Sequence, residues 1–143
     1  MTRKICIWVI PAGNPVNAGA LRTKDSEPEV WGTESFELYL SVDGNLYRFA
    51  GNVAGGYTEW KNNGVEWNGK WDSSARILSD RWEVVMKIPF ATIQCDINKN
   101  NRLKGTFIRE YPTRPAGAPR EYSSWDGGTH HQTNTFGAIM LMK

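Results

Sequence analysis

Three side chains able to hold a polar ligand stand close together in the stretch Val30–Val42, which reads Val-Trp-Gly-Thr-Glu-Ser-Phe-Glu-Leu-Tyr-Leu-Ser-Val. Trp31 offers an indole face, Glu37 a carboxylate that accepts several hydrogen bonds, and Tyr39 a phenol that donates and accepts. From Ser35 onward the residues alternate, with Phe36, Leu38, Leu40 and Val42 on one face and Ser35, Glu37, Tyr39 and Ser41 on the other. Period-two alternation predicts a half-buried strand with its polar face open to a partner. Asp43-Gly44 then predicts a tight hairpin, because both residue types tolerate positive φ, and Asn45–Asn52 supplies the returning strand. If Tyr47, Phe49 and Gly51 face the core, then Arg48, Ala50 and Asn52 share the face of Glu37 and Tyr39. A carboxylate, a phenol, a guanidinium and an amide would thus collect on one face, a set suited to recognition by charge-assisted hydrogen bonds.

The elements that must position this hairpin read as an all-β chain. Its 143 residues suit one domain with a modest core; seven Trp and five Tyr compensate for few aliphatics. Lys4–Ile10 reads as a strand buried on both faces, followed by a long loop from Pro11 to Pro28. The stretch Ala54–Lys70 is rich in Gly and aromatics, with turns at Asn62-Asn63-Gly64 and Asn68-Gly69. Tyr57, Trp60, Trp67 and Trp71 there either line a ligand path or cap the end of the domain. Ser74–Ser79 and Arg81–Ile88 are strands, the second ended by Pro89 and placing Trp82, Val84, Met86 and Ile88 in the core; Trp8 is a core residue for the same reason. Phe90–Ile97 is expected to form one helical turn. Leu103–Tyr111, Tyr122–Trp125 and Phe136–Leu141 are further strands. Seven or eight strands with turn signals every 8–12 residues predict an antiparallel β-sandwich, immunoglobulin- or jelly-roll-like in architecture.

A formal net charge of +2, from 17 basic and 15 acidic residues mixed along the chain, favours neither nucleic acid nor a membrane surface as a partner. No apolar run approaches the roughly 18 residues of a membrane-spanning helix, and Ile5–Ile10 is too short for a signal peptide. Cys6 and Cys95 make no metal motif; they read as buried thiols, or as one disulfide in an exported protein.

The order of "VWGTESFELYL", "NLYRFAGN", "DRWEVVMKIPF", "GTFIREY", "SSWD" and "FGAIML" resembles the family 9 carbohydrate-binding modules and the related DOMON-like sandwiches, over nearly the whole chain from Trp8. The resemblance implies one domain over 1–143 whose first strands are missing. It implies a sugar slot with Trp31 as one wall and Glu37 and Arg48 as hydrogen-bonding groups. Tyr39 and Asn52 join them by face, and Arg109 resembles a residue near the cleft, with an ion pair to Glu83 or Glu110 as its structural alternative. The family's second wall, an indole before the closing Phe-Gly, has no clear counterpart: His130, His131 or Trp125 could serve, or the wall is missing. The implied ligands are plant glucans, xylans or their oligosaccharides. The implied setting is an extracellular or periplasmic accessory module of a glycoside hydrolase, possessing no catalytic residues.

Other chemistry has less support. Asp25, Glu27 and Glu29 form an acidic loop that could hold calcium, which the resemblance also implies. His130 and His131 are adjacent, a spacing that does not set two zinc ligands on one helix face. Glu37 has no carboxyl partner at i+2 or i+4, so a glycosidase pair is not visible, and no nucleophile elbow or phosphate loop occurs. The competing readings are a haem-binding DOMON-like domain, with His130, His131, Met86 or Met140 as axial ligands, and a structural or adhesion sandwich whose sugar site has decayed. Met86 and Met140 both look like core residues.

Overall fold

The computed structural model describes residues 4–9, 30, 34–64, 66–111, 121–125, 127 and 130–142, with side chains from residue 30 onward except at 111 and 121. Trp31, the acidic loop Asp25–Glu29 and the side chains of Cys6 and Trp8 lie outside the described set. The described residues form nine strands: β1 (Lys4–Val9), β2 (Ser35–Val42), β3 (Asn45–Asn52), β4 (Tyr57–Lys61), β5 (Asp72–Ile77), β6 (Trp82–Pro89), β7 (Arg102–Tyr111), β8 (Glu121–Ser124) and β9 (Gly137–Met140).

They form two antiparallel sheets. The smaller has the order β1-β6-β5; the larger runs β4-β3-β2-β7-β8, with β9 also paired to β7. The outer edge of β7 is shared, its Ile108–Tyr111 half pairing with β8 and its Arg102–Gly105 half with β9. The β2–β3 hairpin turns at Asp43 and Gly44, whose φ angles of 46° and 78° are those an Asp-Gly turn supplies at low steric cost. Its register sets Tyr39 opposite Arg48 and Glu37 opposite Ala50.

Between the sheets lies the core. Phe36, Leu38, Leu40, Val42, Tyr47 and Phe49 from the large sheet meet Trp82, Val84, Met86 and Ile88 from the small one. Burial of these side chains is the main driving force for joining the layers. Phe36 bridges them, stacked on Phe107 at 6.0 Å and tilted against Trp82 at 6.1 Å. Glu34, fully buried before β2, ties them again: it accepts from Trp82 Nε1 at 2.5 Å and from Arg109 Nη2 at 3.0 Å.

Four sequence expectations need correction. β2 is buried on both faces, because Glu37 and Tyr39 are as inaccessible as Phe36 and Leu38. Phe90–Ile97 is not a helical turn but a run of overlapping turns, closed by Thr92 N–H to Pro89 O, Gln94 N–H to Ala91 O and Cys95 N–H to Phe90 O. Tyr57–Lys61 is a strand, which its Gly-rich setting concealed. Met86 is in the core, but Met140 is 62% exposed on β9. Cys95 carries a free, partly buried thiol.

The aromatics of the Gly-rich stretch divide by face. Tyr57, Trp67 and Trp71 pack against the inter-sheet core, Trp71 at 5.1 Å from Phe49 and 4.9 Å from Tyr57. Trp60 turns the other way and joins Val30 and Ala50 on the outer face of the large sheet.

Candidate functional site

The outer face of the large sheet carries a cluster of polar side chains held by four strands. β2 brings Glu37 and Tyr39, β3 brings Arg48, β4 brings Trp60 and β7 brings Glu110; the segment before β9 adds His130 and His131. Antiparallel pairing sets adjacent strands about 4.8 Å apart, so side chains of one parity on neighbouring strands must touch.

Glu37 is the hub. Tyr39 donates its hydroxyl hydrogen to Glu37 Oε2 at 2.7 Å, and Arg48 Nε donates to the same oxygen. The other oxygen, Oε1, faces His130 Nε2 at 3.3 Å, and that nitrogen lies 3.5 Å from Glu110 Oε1. Burial would raise the Glu37 pKa. Hydrogen bonding with His130 and with the Glu110 carboxyl outweighs it, aided by the charge of Arg48 and the Tyr39 hydroxyl, and holds the group at about 2. His130 moves the opposite way: hydrogen bonds to Glu110 and then Glu37 raise it to about 9 against the effect of burial. Burial, and then the negative charge of Glu37, push the Tyr39 phenol far above its ordinary range, so it remains a donor. His131 is lowered, by burial first and then by the charge of Arg48.

Beside the hub a cavity of about 400 Å³ opens, lined by Tyr39, Leu46, Arg48, Trp60, Asn63 and His131. That volume is in the range of small-molecule sites, which run from roughly 300 to 1,000 Å³. The Arg48 guanidinium lies over the Trp60 ring, 4.0 Å from its centroid, and the His131 ring stands edge-on to Tyr39 at 5.2 Å. Aromatic rings, a guanidinium and an amide therefore line one space, with the buried Glu37 carboxylate behind Tyr39 and Arg48: apolar ring surfaces pack on C–H groups while the polar groups bond hydroxyls.

The remaining expected residues have other places. Asn52 closes the β3–β4 connection, its Oδ1 accepting from Gly56 N–H at 2.9 Å. Arg109 is opposite Phe36 in the ladder and pairs with Glu34, where the sequence suggested Glu83 or Glu110. Trp125 follows β8 with its indole 60% exposed and does not line the cavity. His131, not His130, supplies the cavity wall from the closing segment, while His130 lies against Glu37, Glu110 and the half-exposed Tyr122.

Sequence reasoning left Trp60 undecided and did not place Glu110 at the site. Reading Tyr57–Lys61 as a strand would have separated Trp60 from Tyr57 and Glu59 by parity. Glu110 is a partner for Glu37 that no local spacing shows, since the two meet across β2 and β7. The His130 imidazole lies against both carboxyl groups, its Nε2 3.3 Å from Glu37 Oε1 and 3.5 Å from Glu110 Oε1.

No family model matches the chain, and no curated protein matches it. Its fold is shared with a Bacteroides uniformis structure. That structure, determined at 2.70 Å, superposes with a TM-score of 0.73 and 19% identity, over 99% of this chain and 74% of that one. It carries a provisional description as a carbohydrate-binding protein. At this identity the likeness establishes the two-sheet architecture for the present chain.

Proposed function

We propose that the chain is a non-catalytic carbohydrate-binding domain. The observation that carries this reading is the cavity in which Trp60, Arg48, Tyr39 and His131 converge beside the buried carboxylate of Glu37. A pyranose presents an apolar C–H face and a rim of hydroxyls; Leu46, the His131 ring and the accessible edge of Trp60 suit the first, and Arg48 and Asn63 suit the second. The provisional role of the Bacteroides uniformis neighbour supports the same reading.

The finer reading follows the sequence resemblance. The domain belongs with the family 9-like and DOMON-like sandwiches, binds glucan or xylan units, and serves an exported glycoside hydrolase to which it is covalently linked. Trp31, beyond the described residues, extends the aromatic wall in this reading.

Titration with glucose, cellobiose and xylo-oligosaccharides tests it, followed by tryptophan fluorescence and calorimetry. Saturable binding that falls at least 10-fold in Trp60→Ala and in Arg48→Ala is expected. Absence of binding to all these sugars at millimolar concentration would remove the finer reading. Affinity undisturbed by both substitutions would remove the site.

A further inference from the structure

We infer that Glu37, Glu110 and His130 form a binding site for a divalent transition-metal ion, with zinc the best match. Their ligand atoms, one from each residue, all lie within 4.8 Å of one another, and both carboxyl groups are buried. A tetrahedral zinc ion with bonds of about 2.0–2.2 Å holds its ligand atoms roughly 3.3–3.6 Å apart. His130 Nε2 is 3.3 Å from Glu37 Oε1 and 3.5 Å from Glu110 Oε1, so two edges of the triangle already have that length.

A second observation concerns Glu37 Oε1 itself. It is buried, and what it faces are the other two members of the trio, with His130 Nε2 at 3.3 Å. Its sister oxygen, Oε2, is bonded to Tyr39 and Arg48, which fixes the plane of the carboxylate and aims Oε1 away from them. Such outer partners are what orient a metal-ligating carboxylate. One imidazole with two carboxyl oxygens is a borderline donor set, which favours zinc over calcium or magnesium. The cation takes the place of the Nε2 proton between the two carboxyl groups, since a ligating imidazole must be neutral. The adjacent pair His130-His131 is not involved as a pair: His131 lines the neighbouring cavity.

The inference stands apart from sugar recognition and is tested with the metal alone. Chelator-treated protein is titrated with ZnCl₂ by calorimetry, and with CoCl₂ by visible absorption. One equivalent of zinc is expected to bind, with a rise in melting temperature, and cobalt should give the strong d–d bands of a tetrahedral N/O site. His130→Gln and Glu110→Gln should each weaken binding at least 10-fold. Because Glu37→Gln could unfold the chain, these two variants carry the comparison. No zinc-dependent heat, wild-type zinc affinity in both variants, or a cobalt–thiolate charge-transfer band placing the ion on cysteine would each overturn the assignment.

Discussion

Arg48 is held between Trp60 and Glu37: its guanidinium carbon is 4.0 Å from the centre of the indole ring while its Nε donates to the buried carboxylate. The two strands that carry the cation and the ring pair with Arg48 opposite Trp60, so the arrangement is set by register. A cation over an indole contributes about 0.5–2 kcal/mol, depending on how far it is desolvated. Trp60→Phe should keep part of this contact and reduce sugar affinity only several-fold, whereas Trp60→Ala should reduce it at least 10-fold. Calorimetry on both variants measures the difference; equal losses would show that the indole acts only as filler.

Tyr39→Phe removes one oxygen from a site with no exposed surface. The hydroxyl donates to an ionised group, and such bonds contribute about 1.5–3 kcal/mol. The variant should lose a similar amount in chemical denaturation and bind sugar more weakly, because Glu37 Oε2 loses the Tyr39 donor and is left to Arg48. A wild-type denaturation midpoint in this variant would mean that water replaces the phenol at little cost.

The hairpin was the most legible part of the chain. Strict alternation from Ser35 to Val42 and an Asp-Gly turn determine strand, turn and face from local sequence alone, and they put Arg48 beside Glu37 and Tyr39. The alternation did not show that the polar face is itself covered. That depends on Ile108 and Phe136, which pack with Tyr39 from distant elements, and on His130 over Glu37. Glu110 was invisible as a site residue for the same reason: its pairing with Glu37 is a property of the β2–β7 ladder. Trp60 was hidden differently, since Gly55, Gly56 and the Asn62-Asn63 turn mask a five-residue strand between them.

The two shifted groups of the hub predict how stability depends on pH in chelator-treated protein. Glu37 is depressed from 4.5 to about 2, so its contribution is present above 4.5 and is lost as pH falls toward 2. His130 is raised from 6.5 to about 9, so its contribution is present below 6.5 and is lost as pH rises through 9. His131, lowered from 6.5, works against the folded state as pH falls below that value. Melting temperature should therefore decline on the alkaline side between 6.5 and 9, and His130→Gln should flatten that limb and also shrink the acid limb, because His130 is the first of the groups that hold Glu37 low. An unchanged alkaline slope in His130→Gln would assign it to another group.

Glu34 predicts a larger effect remote from the cavity. It is buried and shared by Trp82 of the small sheet and Arg109 of the large one. Removing one member of a buried ion pair costs about 3–5 kcal/mol, because the partner's charge remains in place. Glu34→Ala should therefore be among the most destabilising single changes in the chain, and Glu34→Gln, which retains an acceptor, should cost less. Urea unfolding of the two variants checks the order; near-equal losses would show that a neutral acceptor does not suffice and that the carboxylate charge, absent from both variants, is what joins the sheets.

Gly51 tests the inner face without touching the outer one. A methyl group there would lie 2.6 Å from Cζ and 3.0 Å from Cε1 of Phe36, far inside van der Waals contact. The ring cannot swing aside freely, because Phe107 stacks on it and Trp82 lies against it. Overpacking of this kind costs about 1–3 kcal/mol, so Gly51→Ala should lower the melting temperature measurably. Shortening the obstructing side chain should relieve it: Gly51→Ala with Phe36→Leu should be more stable than the sum of the single losses predicts. Sugar affinity should be unchanged in Gly51→Ala at temperatures where the protein is folded, since Phe36 and Gly51 oppose each other on the core side of the β2–β3 ladder. Additive losses in the double variant would mean that the backbone, not the Phe36 ring, absorbs the added methyl.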